Sequence, residues 1–316
     1  MDMMKAVQFH EYGGPEVLRF EDAPRPSPAN DEILVRVHAA GVNPVDGGIR
    51  AGRVRSLSQR LPQVAGLDFA GTVEQVGKKV RGFRVGDAVY GRPQFGHGGA
   101  YAQYVVVKPT DVAKKPRSLD FAHAAALPTA ALAAWQALFE SDGTPTMRLS
   151  RGQTVLIHGA SGGVGTFAVQ LAKWIGATVI GTGRTENLQF LKELGVDVVV
   201  DYTQQRFEDF AHQVDGVLDV VGGETQARSW DVLKKGGVLV STVGIQSEEP
   251  AKARGVRAIA IMAGQDPRVL AEIAKLVDKG VIKVPLSEEL PLERAREAQE
   301  HIQSGHTRGK IVLDVH

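Results

Sequence analysis

The chain has 316 residues with 37 basic against 36 acidic side chains, a near balance that gives nucleic acid or an anionic membrane surface no electrostatic reason to bind. At 43% hydrophobic and 23% charged residues it has the composition of a globular protein, and its length points to two domains. It contains no cysteine, which excludes disulfides and every thiolate metal site.

Residues 1–10 lack the apolar core of a secretion signal and read as a first strand. Up to about residue 115, short β-like runs alternate with Gly and Pro, and strands are expected over 5–9, 33–39, 69–76, 87–90 and 101–107. The Pro-rich stretch at 23–30, APRPSPAN, reads as a loop. The longest apolar stretch, 124–139, is too short to span a bilayer and is broken by Pro128, so a cytoplasmic protein with no membrane partner is expected.

From residue 153 the pattern becomes strand, glycine turn and helix, repeated, with strands expected over 154–158, 178–181, 197–200, 216–221, 237–243 and 257–262. Such crossovers define an α/β fold with a doubly wound parallel sheet, the Rossmann arrangement. The closing segment predicts helices over 266–279 and near 292–304, then a strand over 310–315.

The stretch HGASGGVG, His158 to Gly165, joins the first of these strands to a helix whose apolar residues Val164, Phe167, Ala168, Leu171, Ala172 and Ile175 recur every three or four positions. Gly159, Gly162, Gly163 and Gly165 let the backbone turn sharply and approach a ligand. Free amides at the helix start, with the positive end of its dipole, suit a pyrophosphate. The plain alternative is a turn shaped only for packing; its place at the head of six βα-type units favours a dinucleotide.

An NAD site usually sets a carboxylate about 20 residues beyond the glycines. Here the second strand ends in GTGRT, with no carboxylate before Glu186. Arg184, helped by Thr182 and Thr185 as neutral donors, suits the 2′-phosphate of NADP; a solvated surface arginine is the alternative. Tyr104 and Lys108 form a Tyr-x-x-x-Lys pair, but an intervening strand separates their side chains. His97 could donate a proton or merely tie down its loop, and the nine histidines show no i, i+4 pair that would bind a metal on one helix. No residue stands out as general acid, a role water can fill.

The run GQTVLIHGASGGVGTFAVQLAK (152–173), with AGVNPVDGGIRAG (40–52), PQVAGLDFAGTVEQVG (62–77), VGDAVYG (85–91), GGAYAQY (98–104) and GKIVLDV (309–315), resembles the zinc-free quinone oxidoreductase and ζ-crystallin branch of the medium-chain dehydrogenase/reductase superfamily. The resemblance implies a GroES-like, mostly β substrate domain (1–125 with 265–316), a Rossmann NADP-binding domain (126–264), a coenzyme in the cleft and a homodimer, its subunits joined through the sixth Rossmann strand. It carries Asn43 to the nicotinamide ribose and Thr129 to the nicotinamide's surroundings. Ser161, Gly162, Gly163 and Val164 go to the pyrophosphate, Tyr202 to the 2′-phosphate, and Val243 and Gly244 to the nicotinamide. Asp46, in the loop of Asn43, is expected either as a second catalytic group or as a cap.

Zinc-dependent relatives hold their metal with a Cys and a His-Glu pair, and the matching places here are Asn43 and Leu67-Asp68. That tetrahedral design cannot be assembled, so no metal is expected. The implied reaction is hydride transfer from NADPH to a quinone or to the β-carbon of an α,β-unsaturated carbonyl. Two alternatives stand beside it: a coenzyme-binding sensor or structural protein with little turnover, and a 2-enoyl thioester reductase. Gly47 and Gly48 replace a bulky cleft residue of some quinone oxidoreductases, and the four arginines of 50–62 are expected on a cleft-edge loop.

Overall fold

Along Ile33–Val42 only Arg36 and His38 escape full burial, because the strand is paired on both edges and covered on both faces. One edge takes Asp68–Val76; the other is shared, Tyr104–Val107 pairing with its first half and Lys310–Asp314 with its second. The computed structural model describes residues 2–54, 61–94, 98–141 and 143–315. The chain divides into two units, one running to Thr129 and resuming at Gln265, the other Ala130–Gly264.

In the first unit a seven-stranded sheet contains, edge to edge, Leu286–Pro291, Lys310–Asp314, Ile33–Val42, Asp68–Val76, Ala88–Gly91 and Val112–Lys114, with Tyr104–Val107 beside Ile33–Val42. A smaller sheet sets Met3–Phe9 between Leu18–Pro24 and Gln63–Val64. Val35, Val37, Phe69, Val105 and Leu313 belong to the apolar core of this unit. The strand expected over 101–107 is shorter, Tyr104–Val107, because residues 101–103 bond toward the small sheet, although Gln103 O still accepts from Val37 N of Ile33–Val42 at 2.9 Å. Val7 N donates to Tyr101 O at 2.8 Å and Gln103 N to Lys5 O at 3.0 Å. Tyr101 is thereby turned fully inward.

Arg50, expected on an exposed loop, ends the helix Pro44–Arg50 and is buried. The rest of that loop expectation, at 55–60, and His97 lie outside the described residues.

The second unit is a six-stranded parallel sheet in the order Val198–Asp201, Thr178–Gly183, Thr154–Ile157, Val214–Asp219, Leu233–Ser241 and Arg257–Ala260. Numbered along the chain, that is 3-2-1-4-5-6, the Rossmann order. Val155, Leu156 and Ile157 are wholly buried, as a central parallel strand requires. The helix Gly163–Trp174 buries Phe167, Ala168, Leu171 and Ala172. Pro128, which breaks the apolar stretch, stands at the start of the helix Pro128–Leu138, where a missing N–H costs nothing. Among the described residues no helix is long and apolar enough to cross a membrane.

Gln136, buried on that helix, secures the end of the second unit: its Nε2 donates to Gly264 O at 3.1 Å and its Oε1 accepts from Gly264 N at 2.9 Å. Gln136→Leu keeps the volume and strands both backbone groups, each worth roughly 1–3 kcal/mol. We expect a loss of about 2 kcal/mol or more in urea denaturation, with the m-value unchanged.

Candidate active site

The first parallel strand ends at Ile157, and the chain turns through Gly159 with φ +61°. A Cβ on Gly165 would lie 2.2 Å from the Gly159 carbonyl oxygen, so only glycine lets the helix start this close beneath the turn. Gly162 is the N-cap and provides no side-chain cap, which leaves the first-turn amides of Gly163, Val164 and Gly165 without an intrahelical acceptor. Ser161, Gly162, Gly163 and Val164 all remain partly exposed there. Bare amides at the positive end of a twelve-residue helix could hold a diphosphate.

Thr182, read from sequence as a donor to the 2′-phosphate, is instead buried, and its Oγ1 accepts from Gly159 N at 3.2 Å. Its backbone carbonyl takes Ala160 N at 3.0 Å, so this residue braces the glycine turn. His158, also buried, pairs with the Ser229 hydroxyl at 2.8 Å; burial drives its pKa down to about 4, and it stays neutral.

Gly183 and Asp201 are paired across neighbouring strands, which brings Arg184 and Tyr202 together just beyond them. Arg184 Nε donates to the Tyr202 hydroxyl at 2.9 Å; Arg184 is partly exposed and Tyr202 exposed. The carboxylate beside them, Asp201, is already satisfied: Thr185 Oγ1 donates to it at 2.6 Å and Thr203 Oγ1 at 2.7 Å, and these hydroxyls hold its pKa below the usual range. Thr185 is therefore committed to Asp201. This strand end offers a phenol and a guanidinium that also lies 4.0 Å from the exposed Glu186 carboxylate, and Asp201 is engaged.

Val243 and Gly244 follow the fifth strand, Val243 exposed and Gly244 at φ +92°. Their turn is held by two residues the sequence reading passed over. Gln226 Nε2 donates to Gly244 O and to the buried Asp219 carboxylate, each at 2.7 Å, and Gln226 Oε1 accepts from Gln246 N at 2.9 Å. Asp219 is signalled in the sequence as an acid inside an apolar run, whereas Gln226 lies in a polar stretch and is not signalled at all.

In the first unit Asn43 caps the helix Pro44–Arg50. Asp46, one candidate catalytic group, is the third helical residue of that capping box: its Oδ2 accepts from Asn43 N and from the Tyr101 hydroxyl, each at 2.9 Å. It is buried, and its Oδ1 has no hydrogen-bond partner among the described residues. Burial first, then the neighbouring Asp68 charge, push its pKa up to about 7 against the hydrogen bonds from Asn43 and Tyr101. Among the described residues, Asp46 hydrogen-bonds to Asn43 and Tyr101.

The Asn43 side chain is held at both ends. Its Nδ2 donates to Asp68 Oδ2 at 2.9 Å, and its Oδ1 accepts from the buried Lys310 ammonium. Thr129 donates to Asp68 twice, from its amide at 3.1 Å and from its hydroxyl at 2.5 Å. Asn43, Asp68 and Thr129 thus meet around one carboxylate, with Lys310 as a further member that no sequence motif pointed out; its signal is a cation opening an apolar strand.

A zinc ion does not fit these residues. Of the matching ligand places, Leu67 is apolar, Asn43 donates directly to Asp68, and an ammonium already touches Asn43. Elsewhere among the described residues, Glu288, Glu297 and His301 lie close enough to share a cation. That surface group is engaged in ion pairs, His301 with Glu288 at 2.8 Å and Glu297 with Arg294.

Residues 29–117 match the family model described as alcohol dehydrogenase GroES-like domain, and residues 194–313 that described as zinc-binding dehydrogenase. The chain is 35% identical to a 2-methylene-furan-3-one reductase of Solanum lycopersicum, over 98% of its own length and 79% of that protein's. It is 33% identical, over the same shares, to a chloroplastic NADPH-dependent alkenal/one oxidoreductase of Arabidopsis thaliana. The solved quinone oxidoreductase of Coxiella burnetii superposes with a TM-score of 0.93 at 37% identity, over all of both chains. The chain is an oxidoreductase that belongs to the medium-chain dehydrogenase/reductase superfamily, among its quinone oxidoreductases and alkenal reductases.

Because the native state raises the pKa of Asp46, ionising it costs stability as pH rises from about 4 to about 7, and the cost is complete above that. Asp46→Asn carries no such charge. Its stability relative to wild type should therefore improve across that window by on the order of a few kcal/mol, as read from denaturation midpoints at several pH values; a constant difference would contradict the assignment.

Proposed function

We propose that this protein is a zinc-independent, NADPH-dependent reductase of quinones and of α,β-unsaturated carbonyls. The observation that carries the reading is the uncapped glycine turn heading a Rossmann sheet whose second and third strands end in the Arg184–Tyr202 pair, with Asp201 already engaged. Bound NADPH supplies a hydride to the acceptor. Ser161, Gly162, Gly163 and Val164 face the diphosphate, and the first-turn amides of Gly163 and Val164 hold it. Arg184 and Tyr202 take the 2′-phosphate, Arg184 by charge and Tyr202 by its hydroxyl. A site for NAD would instead need a free carboxylate for the ribose diol.

Asn43 meets the nicotinamide ribose, Thr129 lies near the nicotinamide, and Val243 and Gly244 line its surroundings. Thr129 has given its hydroxyl proton to Asp68, so only its oxygen lone pairs are left for a ligand. Asp46 contributes by fixing the backbone of Asn43. Quinones and enones suit such a site because conjugation carries the new negative charge onto an oxygen without a Lewis acid. The proton that completes the reduction comes from water.

The protein works in the cytoplasm as a homodimer. The sheet-edge strand Arg257–Ala260 supports the dimer, since among the described residues its outer backbone groups have no partner strand, and two copies can pair there about a two-fold axis.

The test follows absorbance at the reduced-nicotinamide band with a small quinone and with an enone. We expect turnover with NADPH on both classes, and none on either would defeat the reading. In Arg184→Ala the preference for NADPH over NADH should fall at least about tenfold, which is about 1.4 kcal/mol of lost charge pairing. An unchanged preference would remove Arg184 from the site.

A further inference from the structure

The strand Lys310–Asp314 begins with a lysine and continues Ile-Val-Leu, all of them buried. Lys310 is only 3% exposed, although a lysine at a strand end ordinarily runs its ammonium out to water. Burying an ammonium costs several kcal/mol before its partners are counted, and an apolar side chain of similar length is often the more stable choice. The charge is therefore explained by what it orients.

Lys310 Nζ donates to the Val42 carbonyl at 2.8 Å and to Asn43 Oδ1. An ammonium can only donate, so it dictates which end of the Asn43 amide faces it and leaves Nδ2 for Asp68. Asp68, itself wholly buried, is the carboxylate that holds both the amide and the hydroxyl of Thr129. The field of Lys310 reaches Asp68 and Asp46, the two buried acids of this cluster.

The geometry points to Lys310 as the positioning residue of this site: its ammonium fixes the amide of Asn43 in one orientation and provides the counter-charge for the carboxylate that aims Thr129. This deepens the reading of Asn43 and Thr129 as nicotinamide contacts and rests on it.

The absence of cysteine allows a direct test. Lys310→Cys creates a single thiol, and aminoethylation of it in denaturant followed by refolding restores an ammonium on a stem of equal length. kcat and KM are measured with NADPH and a small quinone, the NADPH dissociation constant by fluorescence, and folding by circular dichroism and melting temperature. We expect the thiol form to lose about tenfold or more in kcat/KM and to bind NADPH about tenfold more weakly, and the aminoethylated form to recover most of both. Equal kcat/KM in the two folded forms overturns the proposal.

Should the thiol form fail to fold, Lys310→Met combined with Asp68→Asn removes the ammonium together with the Asp68 charge, leaving Asp46 as the remaining acid of the cluster, and carries the test. Tenfold lower kcat/KM in that folded double variant supports the role, and wild-type kcat/KM overturns it. A wild-type chain that binds NADPH but reduces no acceptor overturns the reductase reading instead. The NADPH dissociation constants of the thiol and aminoethylated forms, expected to differ about tenfold, then decide the role of Lys310. Wild type that binds no nicotinamide coenzyme overturns both.

Discussion

A buried chain of hydrogen bonds, Lys310 to Asn43 to Asp68, with Thr129 on the far side of the carboxylate, is the constraint on which the candidate site depends. Its members come from distant parts of the sequence and meet through sheet register. Asp68 is paired with Gly41 on one edge of Ile33–Val42, and Ile311 with Val42 on the other, so Asp68 and Lys310 flank the end of that strand where Asn43 follows. A slip of one residue in either pairing would send a side chain to the opposite face and leave a buried charge without its partner. The register that builds the sheet is thus the register that builds the site.

The same residues explain why a zinc ion does not fit the matching ligand places. Where a metal would need lone pairs converging on an empty point, Asn43 turns a donor toward Asp68 and accepts from a cation. Positive charge is provided by a side chain of the chain itself. Asp46, buried behind the Asn43 helix cap, adds a second acid whose ionisation the surroundings resist.

The second unit works mainly with backbone. Its glycine turn offers amides, and the side chains around it mostly shape the chain: Thr182 braces the turn, and Asp219 with Gln226 holds the segment of Val243 and Gly244. Arg184 and Tyr202 are the exceptions, the first partly exposed, the second exposed, and joined to each other. This division explains why Thr182, attractive in sequence as a hydroxyl beside a glycine, belongs to the scaffold. A threonine in the middle of a parallel sheet is surrounded, and its hydroxyl must bond inward.

Period and punctuation made the parallel sheet legible, since each strand there is a local apolar run followed by a glycine turn and a helix with three-to-four spacing. The glycine turn could be read for the same reason: the residues that shape it are contiguous. The strand at 101–107 was read too long because alternation cannot tell which of two sheets a residue joins, and residues 101–103 change sheets. Leu18–Pro24, Val112–Lys114 and Leu286–Pro291 went unread, being short or carrying mixed polarity.

What the sequence by itself determined was the α/β class, the coenzyme-type turn and the lack of any thiolate chemistry, all properties of neighbouring residues or of composition. Only the tertiary structure decided that Lys310 stands beside Asn43, 267 positions away, that Asp201 is already engaged, and that Thr182 faces inward. The physical reason is that partners for a buried polar group are chosen by strand register and burial, and neither is written in local spacing.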